Sequence, residues 1–264
     1  GNAELAEGNI DFRGDIVIHG NVESGVNIRA TGSITIDGVA EACMLEAGKD
    51  IILRGGMLGG NKASVKTKGA ITAKFFEFTN ILCEGDLQAD VLMDCSVICH
   101  GQIRLTGRKG SIIGGKVQAI RGLIATSLGN DAEKRTEIFV GAGIDVYSRL
   151  RVMEKKIEMT REELAKIEEG LEKFEILSKE RGVSYTNDPR RTSLLRIKIK
   201  DSAMLASDEE EVRKLRILAE SSKGACVSVL QEIYPGVVIN MDELKLALKN
   251  MATGVEFYKL PDKI

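Results

Sequence analysis

The sequence predicts a mainly β fold with a helical insertion: a parallel β-helix (β-solenoid) plus a long antiparallel coiled-coil hairpin. A glycine-marked repeat in the first half of the chain and a heptad pattern in the second carry that reading. The glycines also divide the chain. Of 28, 23 lie in residues 1–143, whereas Pro189, Pro235 and Pro261, the only prolines, all come later. Two regimes therefore meet near Gly143.

The repeat emerges when glycines preceding an alternating apolar run are aligned. GDIVIHG begins at Gly14, GSITIDG at Gly32, GAITAKF at Gly69, GDLQADV at Gly85 and GQIRLTG at Gly101. The steps from Gly32 to Gly48, Gly69 to Gly85 and Gly85 to Gly101 are each sixteen residues. Inserts such as GGMLGGN (55–61) and GRKG (107–110) lengthen other steps. The third and fifth positions of each unit are apolar or small: Ile16/Ile18, Ile34/Ile36, Ile71/Ala73, Leu87/Ala89 and Ile103/Leu105. A period of two with one apolar face is a half-buried strand. One short strand cannot bury that face alone, but a stack of them makes a continuous core. About seven coils between Gly14 and Val140, at ~4.8 Å each, give a solenoid roughly 34 Å long. Glycine at each corner is expected to supply backbone conformations that side chains disfavour.

From Tyr147 the period changes. Leu150, Ile157, Leu164 and Leu171 recur every seven residues, with Met153, Thr160, Ile167 and Phe174 three further on. These are coiled-coil a and d positions. The remaining surface is charged, with Glu162/Lys166, Glu169/Lys173 and Glu175/Lys179 at i,i+4, so the apolar stripe is narrow. GVSYTNDPRR (182–191) breaks the helix. A second helix is expected from about Asp188 to Ser222, with Leu194, Ile197, Met204, Leu205, Val212, Leu215 and Ala219 on its apolar side and imperfect heptads near 198–202. A short connection between long helices makes an antiparallel hairpin. Gly224 ends the second helix, and ACVSVLQEIYPGVVINM (225–241) reads as strands around a Pro235-Gly236 turn. MDELKLALKNM (241–251) reads as either a short helix or a surface loop. The expected domains are a β-helix over 1–146, the hairpin over 147–223, and return strands with a C-terminal cap packing on the β-helix over 224–264.

Composition excludes several classes of function. A net charge of -2 shows no lean toward nucleic acid or anionic membrane. No run approaches the ~20 apolar residues that span a bilayer, so no direct membrane insertion is expected. The absence of Trp and an aromatic content of 4% argue against a stacking platform for bases or sugars. Five dispersed cysteines read as reduced thiols in a cytoplasmic protein. Cys83 and Cys99, sixteen apart, should occupy equivalent places on adjacent coils as buried filler. A metal or haem reading of Cys95, Cys99 and His100 fails on spacing: haem attachment needs C-x-x-C-H, and zinc lacks a second ligand pair. GSIIGGKV (110–117) comes close to a P-loop, but Val117 replaces the magnesium-binding hydroxyl and the segment lies within a strand repeat. The rival class is a β-helix enzyme acting on glycans, with Asp86, Asp90 and Asp94 as its carboxylates. No matching acid ladder or nucleophile–base pair supports it, and the period does not fit the six-residue repeat of hexapeptide acyltransferases. His19 and His100 are expected at solvated corners. No catalytic residue, cofactor or metal is therefore expected.

GNIDFRGDIVIHGNV (8–22), RKGSIIGGKVQA (108–119), IFVGAGIDVYSRL (138–150), the coiled coil and IYPGVVINM (233–241) together resemble the flagellar assembly protein A family. The resemblance covers nearly the whole chain in order, although single G-x-I-x-I-x-G units are shared with bactofilin-like and septum-inhibitor β-helices. It implies a right-handed parallel β-helix and a role in flagellar or cell-surface assembly in bacteria, with no catalytic residues to carry over. Members ordinarily have a further N-terminal domain, so it also implies that this chain is a piece of a longer protein. The expected function is a non-catalytic scaffold or interaction protein, with a protein partner or self-association into an oligomer or polymer. Its expected contact arm is the hairpin, through Leu150, Ile157, Leu164, Leu171, Phe174, Leu205, Val212 and Leu215.

Overall fold

The computed structural model describes residues 8–107 and 109–259. Arg108 of the RKGSIIGGKVQA stretch and residues 260–264 of the expected cap lie outside the described residues, as do residues 1–7. The chain divides into two compact units, one built from residues 1–143 and 221–264 and the other from residues 144–220.

The first unit is a β-solenoid of about seven turns. Its parallel strands form three stacks, one strand or part-strand per stack in each turn. In the first stack, Ile16–Ile18, Ile34–Ile36, Ile51–Leu53, Ile71–Ala73, Leu87–Gln88 and Ile103–Leu105 follow one another in register and lead into Leu123–Leu128. The second contains Ala40–Glu41, then the starts of Met57–Thr67 and Phe75–Cys83, then Val91–Met93 and Ser111–Ile113. The third runs from Ile10–Phe12 through Asn27–Ala30, Met44–Ala47, Ser96–Cys99 and Gly115–Ala119 to Thr136–Val140. The chain then enters the helices. On its return, Cys226–Ile233 adds in parallel to Leu123–Leu128, and Val237–Met241 adds to Thr136–Val140.

The register puts every predicted inward position on the core side. Ile34, Ile36, Ile71, Leu87, Ile103 and Leu105 have no exposed surface, and Ala73 and Ala89 are buried beside them. Each fully buried Ile or Leu contributes roughly 1.5–3 kcal/mol against an exposed reference. Ile16, near the first coil, is only half-buried.

Two expectations need correction. Residues 241–251 form neither a helix nor merely a loop: Leu244–Ala247 pairs antiparallel with Val237–Met241, and Ala252–Tyr258 pairs antiparallel with Cys226–Ile233. The alternation of LKLA was too short to read alone, but the ladder of the last coil supplies partners for its backbone. The corner glycines also serve a second purpose. Gly14 does take a positive φ of 142°. Gly69 and Gly101 do not. A Cβ on Gly69 would lie 2.7 Å from the carbonyl carbon of Lys49 and run into the Asp50 carboxylate, and one on Gly101 would lie 2.6 Å from the carbonyl carbon of Gly85. Close approach between coils therefore requires these glycines, because successive corners stack backbone on backbone.

An Asx ladder accompanies that close approach. Asp15, Asn21, Asp50 and Asp86 each accept, through Oδ1, the backbone N–H of a residue one coil onward: Ser33 at 2.7 Å, Val39 at 2.8 Å, Ala70 at 2.7 Å and Gln102 at 2.8 Å. Of these, only Asp86 stands out in the sequence, as a candidate glycan carboxylate. Inside the same wall, Cys83 and Cys99 are register partners, and Thr67 sits in their column one coil earlier. The thiols donate to glycine carbonyls, Cys83 to Gly69 at 3.3 Å and Cys99 to Gly85 at 3.2 Å.

The second unit contains two helices, α1 (Ile144–Arg181) and α2 (Pro189–Ser221). Helix α1 begins three residues before Tyr147, where the change of period is expected. Gly182 follows it in the left-handed conformation, with φ 62°, suiting a C-terminal cap. Asp188 caps α2, its Oδ1 accepting the Arg190 N–H at 2.8 Å, and Pro189 stands where a missing N–H costs nothing. No described helix is long and apolar enough to cross a membrane.

Candidate interaction surfaces

The helical unit has an apolar cluster of its own: Met153, Ile157 and Val212 are buried, with Leu150, Leu205 and Leu215 packed against them. Of the residues predicted for the contact arm, Ile157 and Val212 are thus buried, and Leu150, Leu205 and Leu215 half-buried beside them. Leu164, Leu171 and Phe174 are half-buried too, outside that cluster. The ring of Phe174 lies 6.2 Å from that of Tyr185 in the connection between the helices.

The apolar side predicted for α2 is corrected at two positions. Ile197 and Met204 are exposed. Residues 194, 198, 201, 205, 208, 212, 215 and 219 are all buried or half-buried, spaced alternately four and three. The heptad is continuous, but Lys198, Asp201 and Asp208 occupy three of its positions, so hydrophobicity alone misplaced the stripe. Asp208 is buried and its Oδ2 lies 2.6 Å from Lys156 Nζ. Further ion pairs join the two helices: Arg149–Glu211, Glu154–Arg216 at 2.6 Å and Glu168–Lys198 at 2.8 Å. Near this seam a cleft of about 1110 Å³ opens, floored by Ile157, Val212 and Ile217 and walled by Glu154, Arg161 and Arg216.

On the solenoid, the outward side of the second stack is apolar. Leu58 and Phe78 are exposed, and Phe75, Val91, Met93 and Ile113 are half-buried. Phe75, Val91, Met93 and Ile113 border a shallow cavity of about 430 Å³, which Lys74, Asp90, Lys109 and Glu77 also line. Phe78 has φ 46°. The equivalent corner residues Ala42, Asp94 and Gly114 of other coils are also at positive φ, whereas Gly59 in the coil just before is not. In those four coils the corner takes the left-handed conformation, a demand that costs an L-residue roughly 1–2 kcal/mol. Small, Asx or glycine residues meet the demand elsewhere, whereas this coil spends an aromatic side chain there. No signal short of the register could have revealed this, since FFEFTN reads as an ordinary strand.

The carboxylates considered for glycan chemistry are dispersed. Asp86 caps Gln102 and pairs with Arg121, while Asp94 pairs with Lys134 at a different corner. His19 is a solvated corner residue whose Nδ1 lies 2.8 Å from Asp37, and its hydrogen bond, with help from Arg54, holds the Asp37 carboxyl below its usual range. His100 is half-buried. The segment resembling a P-loop forms two strands, and Lys116 within it lies 4.6 Å over the Phe139 ring. Burial pushes the Cys43 thiol up to about 12 and Cys95 to about 11, and contact with Cys83 together with burial raises Cys99. All five cysteines are free. Among the described residues, no group of three His, Cys, Asp or Glu side chains could hold a metal ion.

These features define the class: a β-solenoid protein with two long helices inserted before its last turn, presenting apolar surfaces on both units. A family model described as Flagellar Assembly Protein A beta solenoid domain matches residues 1–264, and the chain belongs to that family. No curated protein and no solved structure matches the chain.

Proposed function

We propose that this protein is a non-catalytic scaffold in bacterial flagellar or cell-surface assembly, working in the cytoplasm through protein contacts made by its β-helix and its helical pair. Family membership supports the flagellar role. The observation that carries the scaffold reading is the separate apolar cluster of the helices, which the solenoid core does not share. A solenoid whose last turn is supplied by its own return strands has no need of 77 further residues for its core.

In this reading the helices form an antiparallel coiled-coil hairpin. The ion pairs favour it: as the α1 partner advances from Arg149 to Glu168, the α2 partner recedes from Glu211 to Lys198. Such a seam is stiff and suits holding a partner protein or a second copy at a set distance. The solenoid is taken as right-handed, the hand that parallel crossover connections almost always adopt.

The test replaces residues 144–220 with a short Gly-Ser linker and asks whether the variant supports flagellar assembly in cells that depend on this protein. The expected result is a folded solenoid, keeping its strand signal in circular dichroism, that no longer supports assembly. An unfolded variant, or one with full function, would sink the reading.

A further inference from the structure

We propose that the outward face of the second stack, formed by Leu58, Phe75, Phe78, Val91, Met93 and Ile113, is a contact surface for a second copy of this chain. This deepens the scaffold reading and rests on it, by assigning self-association to the solenoid rather than to the helices.

Three observations converge on that face. The apolar residues belong to four consecutive coils, since Leu58, Glu77, Met93 and Ile113 are successive register partners. That makes a strip about 15 Å long at ~4.8 Å per coil. Next, the chain keeps Phe78 in a left-handed conformation that Ala42, Asp94 and Gly114 take at the same corner of other coils and that Gly59, in the coil just before, does not take. A strained residue that the fold does not need, displaying an exposed ring, is a sign of a contact the ring makes elsewhere. It is not an isolated ring: Phe75 lies against Gly56, where a Cβ would come 2.6 Å from its Cδ1, so a glycine of the preceding coil makes room for it. Aromatic and methionine side chains of this kind are the enriched anchors of interface centres.

Charge selects the occupant. Lys74 and Lys109, with Asp90 between them, stand on one margin and Glu77 on the other, and among the described residues none of the four has an ion-pair partner within the chain, so the margins carry net charges of opposite sign. A two-fold axis parallel to the stack brings the lysine margin of one copy against the Glu77 margin of its partner, on both sides at once. Such an isologous contact is self-complementary. The strip is smaller than the ~800 Å² per partner of a standard stable interface, so the dimer is weak and reversible.

Sedimentation equilibrium of the full chain, from about 10 μM to 0.5 mM, tests this, a range suited to a contact below standard size. Phe78→Asn should weaken self-association at least tenfold while raising the thermal midpoint by about 2 °C or more, because Asn tolerates the left-handed corner. Glu77→Lys and Lys74→Glu should each weaken association, and the double variant should recover it. A wild-type chain that stays monomeric throughout overturns the proposal and leaves the helical scaffold reading standing. So does self-association that persists in Phe78→Asn and Glu77→Lys but is lost when α1 and α2 are replaced by the linker. Loss of flagellar assembly in the linker variant, with self-association intact and sensitive to Phe78, supports both readings.

Discussion

At the scale of single residues, glycines at different corners meet different neighbours, and substitutions separate backbone from side-chain contact. Gly69→Ala should destabilise the solenoid by about 1–3 kcal/mol, the usual cost of overpacking, because its new methyl meets backbone of the preceding coil. Gly107→Ala should cost less than about 0.5 kcal/mol, since only the Asp90 side chain lies in its way and that carboxylate can turn aside. Chemical denaturation of both variants checks the contrast; equal losses would mean that backbone proximity is not what selects glycine. The cysteines offer a second residue-scale test. Cys43, Cys95 and Cys99 are buried with raised pKa values, and half-buried Cys226 is raised by burial and then by Glu256. A thiol reagent at pH 7.5 should label Cys226 first and leave the four buried thiols, Cys83 among them, untouched until denaturant is added. Rapid labelling of Cys99 in the folded protein would contradict its place in the column.

Among the elements, the seam between the helices is the most informative. Ile157→Asp places an unpaired carboxylate in the Met153–Val212 cluster and should cost several kcal/mol of helical stability, seen as an early loss of the 222 nm signal. Asp208→Leu should do the opposite. It replaces a buried acid at a heptad position with an apolar residue, and Lys156, half-exposed, is not stranded in the interior. Its helical signal should therefore persist to higher temperature, and a drop would show that the Lys156–Asp208 pair is needed for register. The strands carry a different electrostatic signature. Arg29 holds Glu46 below its usual pKa, and Arg135 does the same to Glu137. A folded pKa below the unfolded value means that these pairs stabilise above about pH 4.3 and lose that effect as pH falls through the lower folded value. Both are largely solvated, so the acid-side fall in melting temperature should be small and should shrink further in 0.5 M NaCl.

For the whole molecule, the last turn of the solenoid depends on residues distant in sequence. Cys226–Ile233 and Val237–Met241 pair with strands more than 95 positions earlier, across the entire helical insertion. Cutting the exposed connection between the helices should therefore not release the C-terminal part. Limited trypsin digestion should nick near Arg181 to Arg190, and the two fragments should co-elute from a sizing column while separating on a denaturing gel. Separation under native conditions would mean that the return strands contribute little to cohesion.

The amino-acid sequence by itself determined the solenoid, its inward positions and the existence of two long helices, because each rests on a short-range period. Alternation at Ile34/Ile36 and heptads at Leu150/Ile157 are local facts about which face must leave water. Tertiary structure alone decided which glycines stand under a neighbouring coil, where Asp15 and Asp86 send their carboxylates, and that LKLA at 244–247 is a strand. It also decided the α2 stripe, since Lys198, Asp201 and Asp208 hide a continuous heptad until their positions against α1 are known. Phe78 shows why most clearly. Its left-handed conformation becomes visible only against the coils on either side, whose partners lie sixteen or more residues away, so nothing in FFEFTN announces the strain.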